Sequence, residues 1–159
     1  FPGGGFEAGV DKSFQDTALR ETFEELGICK KDIKILGQLD TYMAPIGAII
    51  EPFVARIKKK AYKNMKIDYN EVEKTILIPI SFFKNNKPQE YNLSHEIQPY
   101  KIDETGKKEI LFPVEELGLP DTYKKPWGNK NHKIWVYKYE NEVIWGITSV
   151  IINDLLQKY

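Results

Sequence analysis

The sequence R-E-T-F-E-E-L-G-I at residues 20–28 decides how this chain folds, together with the glycine run F-P-G-G-G at residues 1–5. Consecutive glycines let a backbone turn approach phosphate groups closely, because no Cβ stands in the way. Residues 20–28 carry one arginine and three glutamates at helical spacing. A glycine turn followed by such a helix can hold divalent cations against a diphosphate, which favours hydrolysis over binding alone.

A helix is predicted between Ser13 and Gly27. Ser13 and Asp16 resemble a capping box, with an acid in place of the usual Glu or Gln. Gly27 stands where a left-handed C-terminal residue is wanted. Between them, apolar residues recur at helical steps and predict a buried stripe. Its members are Phe14, Ala18, Thr22 and Leu26, with Leu19 and Phe23 beside them.

Glu21, Glu24 and Glu25 fall outside this stripe and within one sector of the helix, at about 100° per residue. Carboxylates this close repel one another unless a positive group lies among them. Mg²⁺ satisfies such a set, since it typically takes one or two carboxylates plus substrate phosphates. Arg20 is placed to pair with Glu24 one turn on. The alternative is the solvated acidic face of an ordinary helix, and the arginine, the closing glycine and the glycine run weigh against it.

Residues 20–28 resemble the Nudix box, whose pattern ends in R-E-U-x-E-E-x-G-U with U aliphatic; Thr22 is the departure from it. The loop between Gly4 and Arg20 is two residues longer than in the general pattern, and Asp11 is the acid expected in that region. Several segments, in order, resemble the coenzyme A diphosphatase branch of this superfamily. They are T-A-L-R-E at residues 17–21, I-I-E-P-F-V-A at 49–55, N-E-V-E-K at 70–74 and V-I-W-G-I-T at 143–148.

The fold expected from the mixture of strands and helices is α+β, with a mixed sheet sandwiched by helices. The resemblance implies a Nudix-type α/β/α sandwich with a mixed β-sheet. It also implies strand material before the glycine loop, so we expect residues 1–159 to be a single Nudix hydrolase domain without its N-terminal strand segment. Further along the chain, strands are predicted at residues 33–39, 46–57 and 76–80, with a basic connector at 58–65 and a helical turn at 81–83. Two hairpins are predicted, one of 90–102 with 107–112 and one of 132–139 with 143–145, with a short helix at 114–117 between them. A final helix is predicted to be capped by Thr148, and its core-facing residues are Val150, Ile151, Leu155 and Ile152.

The resemblance also implies roles for site residues. Glu21, Glu24 and Glu25 would ligate Mg²⁺, or Mn²⁺, together with the carbonyl of Gly3. Glu21 is the leading candidate for the general base or for ordering the attacking water. The catalytic set is therefore Arg20, Glu21, Glu24 and Glu25.

Substrate contacts are assigned to Gly4, Gly5, Glu71 and Trp127. Glu71 is the second candidate for the base, and its alternative role is that of a surface or capping acid before a strand. Trp127 could stack on an adenine ring, and its alternative role is to pin the K-P-W-G loop at residues 125–128.

The function implied is hydrolysis of a nucleoside diphosphate derivative, with coenzyme A or an acyl-CoA as the leading substrate. The products would be 3′,5′-ADP and 4′-phosphopantetheine. ADP-ribose, NADH or another nucleotide is the alternative within the superfamily. A non-catalytic nucleotide- or protein-binding module is the alternative of a different class, and the intact set of Arg20 and three glutamates argues against it.

The amino-acid composition indicates which binding partners and which cellular compartment are expected. The 159 residues carry 23 basic and 23 acidic side chains, so the formal net charge is zero. This balance argues against binding to nucleic acid or to an anionic membrane surface. A lone cysteine, Cys29, has no partner for an internal disulfide, which fits a reducing, cytoplasmic compartment. The resemblance makes a homodimer a further expectation, because Nudix proteins are often dimers.

Overall fold

The acidic helix forms as its end signals predict. In the computed structural model, which describes residues 1–44 and 47–158 and only the backbone of residues 129 and 130, helix α1 spans Phe14–Leu26. The Ser13 hydroxyl accepts a hydrogen bond from the backbone N–H of Asp16 at 3.2 Å. Gly27 ends the helix in the left-handed conformation, with φ of 65°, and its N–H donates to the carbonyl of Phe23. Both predicted caps are confirmed.

The buried side of α1 differs from the predicted stripe. Thr17, Leu19 and Leu26 are buried, whereas the side chains of Phe14 and Phe23 are about half exposed, at 52% and 53%. The ring of Phe14 contacts that of Phe6 edge to face, with centroids 5.4 Å apart. The prediction was therefore wrong for the two phenylalanines, because helical spacing identifies a possible stripe but not which of two neighbouring rows is covered.

After α1 the described chain continues with a group of strands, two short helices, a second group of strands and a final helix. The helices are α2 (Lys59–Lys63), α3 (Ile80–Asn85) and α4 (Gly146–Lys158). The strands are β1 (Ile33–Gln38), β2 (Tyr42–Met43), β3 (Ile49–Ile50), β4 (Phe53–Ile57), β5 (Gln89–Ile97), β6 (Tyr100–Ile102), β7 (Lys108–Ile110), β8 (Trp127–Tyr139) and β9 (Glu142–Trp145). The predicted α+β class is confirmed. In the part of the chain that the structure describes, no helix is long and apolar enough to cross a bilayer.

The chain divides into two compact units, described here one at a time. The first comprises Phe1–Lys87 and Tyr137–Tyr159, and the second comprises Pro88–Val136. The expectation of one domain stays a prediction.

In the first unit, β1 pairs antiparallel with β4, from Ile33 opposite Ile57 to Gln38 opposite Phe53, with an irregularity at Gly37. β2 pairs antiparallel with β3. The predicted strand at residues 46–57 is interrupted at Pro52, which cannot donate to a ladder; its first residue, Ile46, lies outside the described residues. Both of these strand pairs are antiparallel, and an isolated parallel bridge joins Ala8 and Asp11 in the loop before α1.

The core of the first unit gathers around the end of β8. Tyr137, Ile144 and Ile152 are buried together. Partly buried side chains from α3, from α4, from the last residue of β8 and from the segment before α3 pack against them; these are Ile78, Phe82, Phe83, Tyr139 and Leu156. Several rings meet edge to face, for example Phe83 and Tyr137 with centroids 5.0 Å apart. The final helix is therefore held by Ile152 and Leu156.

Three predictions in this unit were wrong. Residues 76–79 form no strand, because Pro79 precedes α3 as its N-cap residue and Leu77 is exposed. The basic connector contains α2, whose lysines and alanine favour a helix. Thr148 is not a cap, since α4 already begins at Gly146. The predicted turn at residues 140–142 is confirmed, with Glu140 at a positive φ of 52°.

In the second unit, β5 pairs antiparallel with β8, from Gln89 opposite Val136 to Ile97 opposite Trp127. β6 and β7 form the hairpin predicted around residues 103–106. The predicted strand at 90–102 therefore divides between two partners, because β5 joins a distant strand and β6 joins its neighbour. Residues 114–117 form turns rather than the predicted helix, and Gly118 follows them with a left-handed φ of 63°.

Candidate active site

The glycine run lies against the acidic helix. The backbone N–H of Gly3 donates to Oε1 of Glu25 at 3.0 Å. The carbonyl of Gly5 accepts from Nη2 of Arg20 at 2.9 Å. These two bonds fix the backbone of the loop to α1 at adjacent turns of the helix. The structure thus brings Gly3, Gly5, Arg20 and Glu25 together, as the sequence predicted for the candidate site.

Gly4 passes closest to the helix. A Cβ added to this residue would overlap the carboxylate of Glu21, with Oε2 only 2.7 Å away and the remaining carboxylate atoms nearer still. Any side chain at this position would therefore displace Glu21. The close approach leaves no room for a Cβ while Glu21 keeps its position, so the absence of a side chain at Gly4 lets the loop lie against α1.

Arg20 is the centre of the site. Its Nε and Nη2 donate to the two carboxylate oxygens of Asp11, each at 3.1 Å. Its Nη1 donates to Oε1 of Glu21 at 2.9 Å and to Oε2 of Glu24 at 2.8 Å. The predicted pairing of Arg20 with Glu24 is confirmed. The planar guanidinium thus orients Glu21 and Glu24 while its other edge is held by Asp11.

Asp11 is the buried anchor of this arrangement. The residue is 8% exposed and accepts two further hydrogen bonds on Oδ2, from the backbone N–H of Glu7 and from the hydroxyl of Thr17, each at 3.0 Å. Hydrogen bonds from Arg20, and then from Glu7 and Thr17, lower the pKa of Asp11 to about 2. Hydrogen bonds to Asp11, the largest cause, and to Glu21 and Glu24 raise the pKa of Arg20 above its ordinary value. Both groups are therefore charged throughout the physiological range.

The site carries a large excess of negative charge. Glu7, Asp11, Glu21 and Glu24 lie within 3.5 Å of the Arg20 guanidinium. With Glu25 this makes five carboxylates beside one arginine, which leaves four negative charges in this group uncompensated. Carboxylate pairs without a counter-ion raise the free energy of the folded state. The arrangement therefore favours binding of a cation.

The donor set fits a divalent metal ion that keeps part of its water shell. Within residues 1–44 and 47–158, no three His, Cys, Asp or Glu side chains form a ready-made cage. Arg20 and Gly3 hold the glutamates in hydrogen bonds, and the bonds described use Oε1 of Glu21, Oε2 of Glu24 and Oε1 of Glu25. The second oxygen of each carboxylate is the one suited to a hard cation. Mg²⁺ fits this pattern, because it needs few protein ligands and retains waters.

The segment that carries Glu71 is tied to the end of α1. The N–H groups of Lys66 and Asp68 donate to the carbonyls of Leu26 and Glu25, each at 2.9 Å. Glu71 itself is exposed and donates its backbone N–H to Asp68 at 3.2 Å within a turn. The structure thus connects this segment to the helix of the site by backbone bonds, and a catalytic or binding role of the Glu71 side chain stays a prediction.

Trp127 belongs to the second unit. Its ring contacts those of Phe112 and Tyr123, with centroids 6.2 Å and 5.5 Å apart. These contacts agree with the alternative role, in which the tryptophan pins its own segment. Stacking of Trp127 on an adenine ring stays a prediction.

A cleft of about 510 Å³ is lined in part by Asp11 and Arg20. Val10, Leu19 and Phe23 give it apolar walls, and Lys12 and Lys30 add positive charge. The three glutamates do not line it. The exposed thiol of Cys29 lies at this cleft.

Sequence reasoning did not find Thr17. Its signal was its position three residues before Arg20, which places both residues on one side of the helix. It also did not find the backbone bonds from Lys66 and Asp68, because such bonds leave no mark on residue identity.

The α1 helix, with its docked glycine loop and arginine-centred carboxylates, carries the residues that resemble the Nudix box. The sequence model of the NUDIX domain family matches residues 1–133, and the chain therefore belongs to the NUDIX domain family.

Individual relatives agree with this membership. The chain is 27% identical over 158 residues to a protein of Photorhabdus laumondii named uncharacterized Nudix hydrolase NudL, an alignment that covers 99% of this chain and 66% of the relative. A protein of the same name from Yersinia enterocolitica is also 27% identical, with 99% and 64% covered. The peroxisomal coenzyme A diphosphatase ndx-8 of Caenorhabditis elegans is 33% identical over 84 residues, 52% of this chain and 35% of the relative. The chain thus spans less than two thirds of the length of these relatives.

Proposed function

We propose that this chain is a divalent-metal-dependent hydrolase that cleaves the diphosphate bond of a nucleoside diphosphate derivative. The leading substrate is coenzyme A or an acyl-CoA, with 3′,5′-ADP and 4′-phosphopantetheine as products. One observation carries the proposal: the backbone of Gly3, Gly4 and Gly5 is docked onto the carboxylates and arginine of α1. This docking supports the proposal, because it holds the glycine loop beside a helix face that carries several carboxylates.

The metal would be Mg²⁺ or Mn²⁺, held by Glu21, Glu24, Glu25 and the carbonyl of Gly3. When bound, such an ion neutralises phosphate charge and lowers the pKa of a bound water. The chain's own residues do the rest. Arg20 orients Glu21 and Glu24, and Gly3 orients Glu25 through its N–H.

Glu21 is the leading group for accepting the proton of the attacking water. Its side chain is only 13% exposed and is fixed by Arg20 on one side and by the close approach of Gly4 on the other. A positioned base of this kind typically contributes about 10²–10⁴ in rate. Glu71 is the second candidate, on the segment bonded to the end of α1.

The substrate assignment rests on the order of the motifs and on the partial match to a protein named as a coenzyme A diphosphatase. Gly4, Gly5, Glu71 and Trp127 are the residues we assign to substrate contacts. ADP-ribose or NADH is the alternative substrate, and a non-catalytic nucleotide-binding module is the alternative function. A cytoplasmic location and a homodimer complete the proposal.

Product chromatography after incubation with Mg²⁺ and a panel of coenzyme A, ADP-ribose and NADH tests the proposal. Wild-type protein should release 3′,5′-ADP from coenzyme A. The rate of this release should be lower by a factor of at least about 10² in Glu25→Gln, as expected when an interaction made in the transition state is removed. Glu116→Gln, at an exposed acid of the second unit, serves as the matched control and should behave as wild type.

Each outcome separates the alternatives. Faster turnover of ADP-ribose than of coenzyme A contradicts the substrate assignment alone. Equal inertness of wild type and Glu25→Gln on the whole panel contradicts the enzyme assignment and leaves the binding module.

A further inference from the structure

We infer that Thr17 is a positioning residue of this site: its hydroxyl holds Asp11, Asp11 holds Arg20, and Arg20 sets the carboxylates of Glu21 and Glu24. The inference rests on the proposed function and adds to it a residue that touches neither substrate nor metal. It is carried by a continuous chain of hydrogen bonds.

The first link is the Thr17 hydroxyl. The residue is 4% exposed, and its Oγ1 lies 3.0 Å from Oδ2 of Asp11 and 3.3 Å from the carbonyl of Ser13. A hydroxyl has one hydrogen to donate. The carboxylate is both the nearer and the charged acceptor, so it is the stronger partner.

The second link is the plane of the Asp11 carboxylate. Oδ2 accepts from Thr17, from the N–H of Glu7 and from Nη2 of Arg20, while Oδ1 accepts from Nε of Arg20. A two-point bond to a guanidinium requires the two groups to face each other with matched orientation. The bonds from Thr17 and Glu7 hold Oδ2 of Asp11 independently of Arg20 and thus fix the orientation that Arg20 meets.

The third link is the opposite edge of the guanidinium. Nη1 of Arg20 reaches Glu21 and Glu24 at 2.9 Å and 2.8 Å. Rotation of the guanidinium away from Asp11 would move this nitrogen and release both carboxylates toward mutual repulsion. Groups that orient metal ligands in this way typically contribute about 10–100-fold to metal affinity or activity.

The helix contains its own control. Thr22 is the same residue type on the same helix, and its hydroxyl donates at 2.6 Å to the carbonyl of Ala18, one turn before it. That bond is local to the backbone and reaches no site residue. The family pattern places an aliphatic residue at this position, so Thr22→Val should leave the site intact.

The test compares Thr17→Val, Thr17→Cys and Thr17→Ser with Thr22→Val. Mn²⁺ binding is followed by the electron paramagnetic resonance signal of the free ion, kcat and KM are measured with coenzyme A, and the unfolding midpoint is recorded under reducing conditions. Thr17→Val should weaken Mn²⁺ binding or lower kcat by about 10-fold or more, with a smaller change in KM. Thr17→Ser should recover wild-type values, and Thr17→Cys should lie between, because a thiol is a weak donor.

The graded series separates hydrogen bonding from packing. If Thr17→Val fails to fold, the order of serine over cysteine still tests the hydroxyl. Equal Mn²⁺ affinity and kcat for Thr17→Ser and Thr17→Cys would overturn the inference. A Thr17→Val protein that matches Thr22→Val in these two quantities would also overturn it. In both cases an active wild type still upholds the proposed function. A wild type that neither binds Mn²⁺ nor cleaves any diphosphate of the panel overturns both.

Discussion

Replacement of Gly4 by alanine should impair the site without unfolding the protein. The added Cβ would lie 2.7 Å from Oε2 of Glu21 and closer to the other carboxylate atoms. Ordinary van der Waals contact begins at about 3.5 Å, so the carboxylate and the loop must separate by roughly 1 Å or more, because the nearer carboxylate atoms overlap further. Glu21 cannot yield this distance freely, because its Oε1 is bonded to Arg20 at 2.9 Å. Misplacement of about 1 Å at a reacting centre typically costs about 10²-fold in rate.

The assay is kcat/KM for coenzyme A with Mg²⁺, with Mn²⁺ affinity as an independent measurement. Gly5→Ala provides the contrast, since a Cβ at Gly5 meets nothing within 4 Å; it should retain more activity than Gly4→Ala. The unfolding midpoint of Gly4→Ala should stay near that of the wild type, because the loop is exposed. A Gly4→Ala protein with wild-type kcat/KM and Mn²⁺ affinity would refute the claim that the approach of Gly4 to Glu21 fixes the site.

Three further predictions follow from the same geometry. Arg20→Lys should lower kcat by about 10–100-fold, because an ammonium group cannot replace the planar guanidinium that bonds Asp11, Glu21 and Glu24. An unchanged kcat would contradict the claim that Arg20 orients the two glutamates. Because the pKa of Asp11 is lowered from 3.8 to about 2, its contribution to stability is present above pH 4 and is lost as the pH falls from about 4 toward 2. Urea unfolding across this range should show that the free energy of unfolding falls less steeply with decreasing pH in Asp11→Asn than in the wild type. Equal pH dependence of the two proteins would contradict a stabilising role of the ionised Asp11. Gly27→Ala should lower the free energy of unfolding by about 1–2 kcal/mol, because φ is 65° and a Cβ would lie 3.0 Å from that of Lys66. Denaturant unfolding measures this change, and a more stable variant would contradict the left-handed conformation of Gly27 at the end of α1.

The helix of the site could be predicted because its signals are local. Ser13 and Gly27 cap it through bonds within one turn, and Arg20 and Glu24 are neighbours one turn apart. The glycine loop was assigned to the same site by resemblance, and the structure supplies the contacts that dock it. The two-residue lengthening of the loop did not remove its acid, since Asp11 reaches Arg20 with both oxygens.

The rest depended on contacts distant in sequence. Residues 76–80 have an apolar run typical of a strand, but Ile80 begins a helix whose Phe82 and Phe83 pack beside Tyr137. β5 pairs with β8 rather than continuing into the hairpin, and an alternating pattern does not say which partner a strand takes. Trp127 was open to two roles, because a tryptophan on a loop suits stacking and packing equally well.

The bonds from Lys66 and Asp68 to the carbonyls that end α1 have a consequence for how this family can diverge. They join main-chain atoms alone, so almost any side chain is compatible with them. The side chain at residue 66 can therefore change in evolution while the loop that follows keeps its backbone anchorage at the end of α1. New substrate preferences could arise on that loop without disturbing the chemistry beside it.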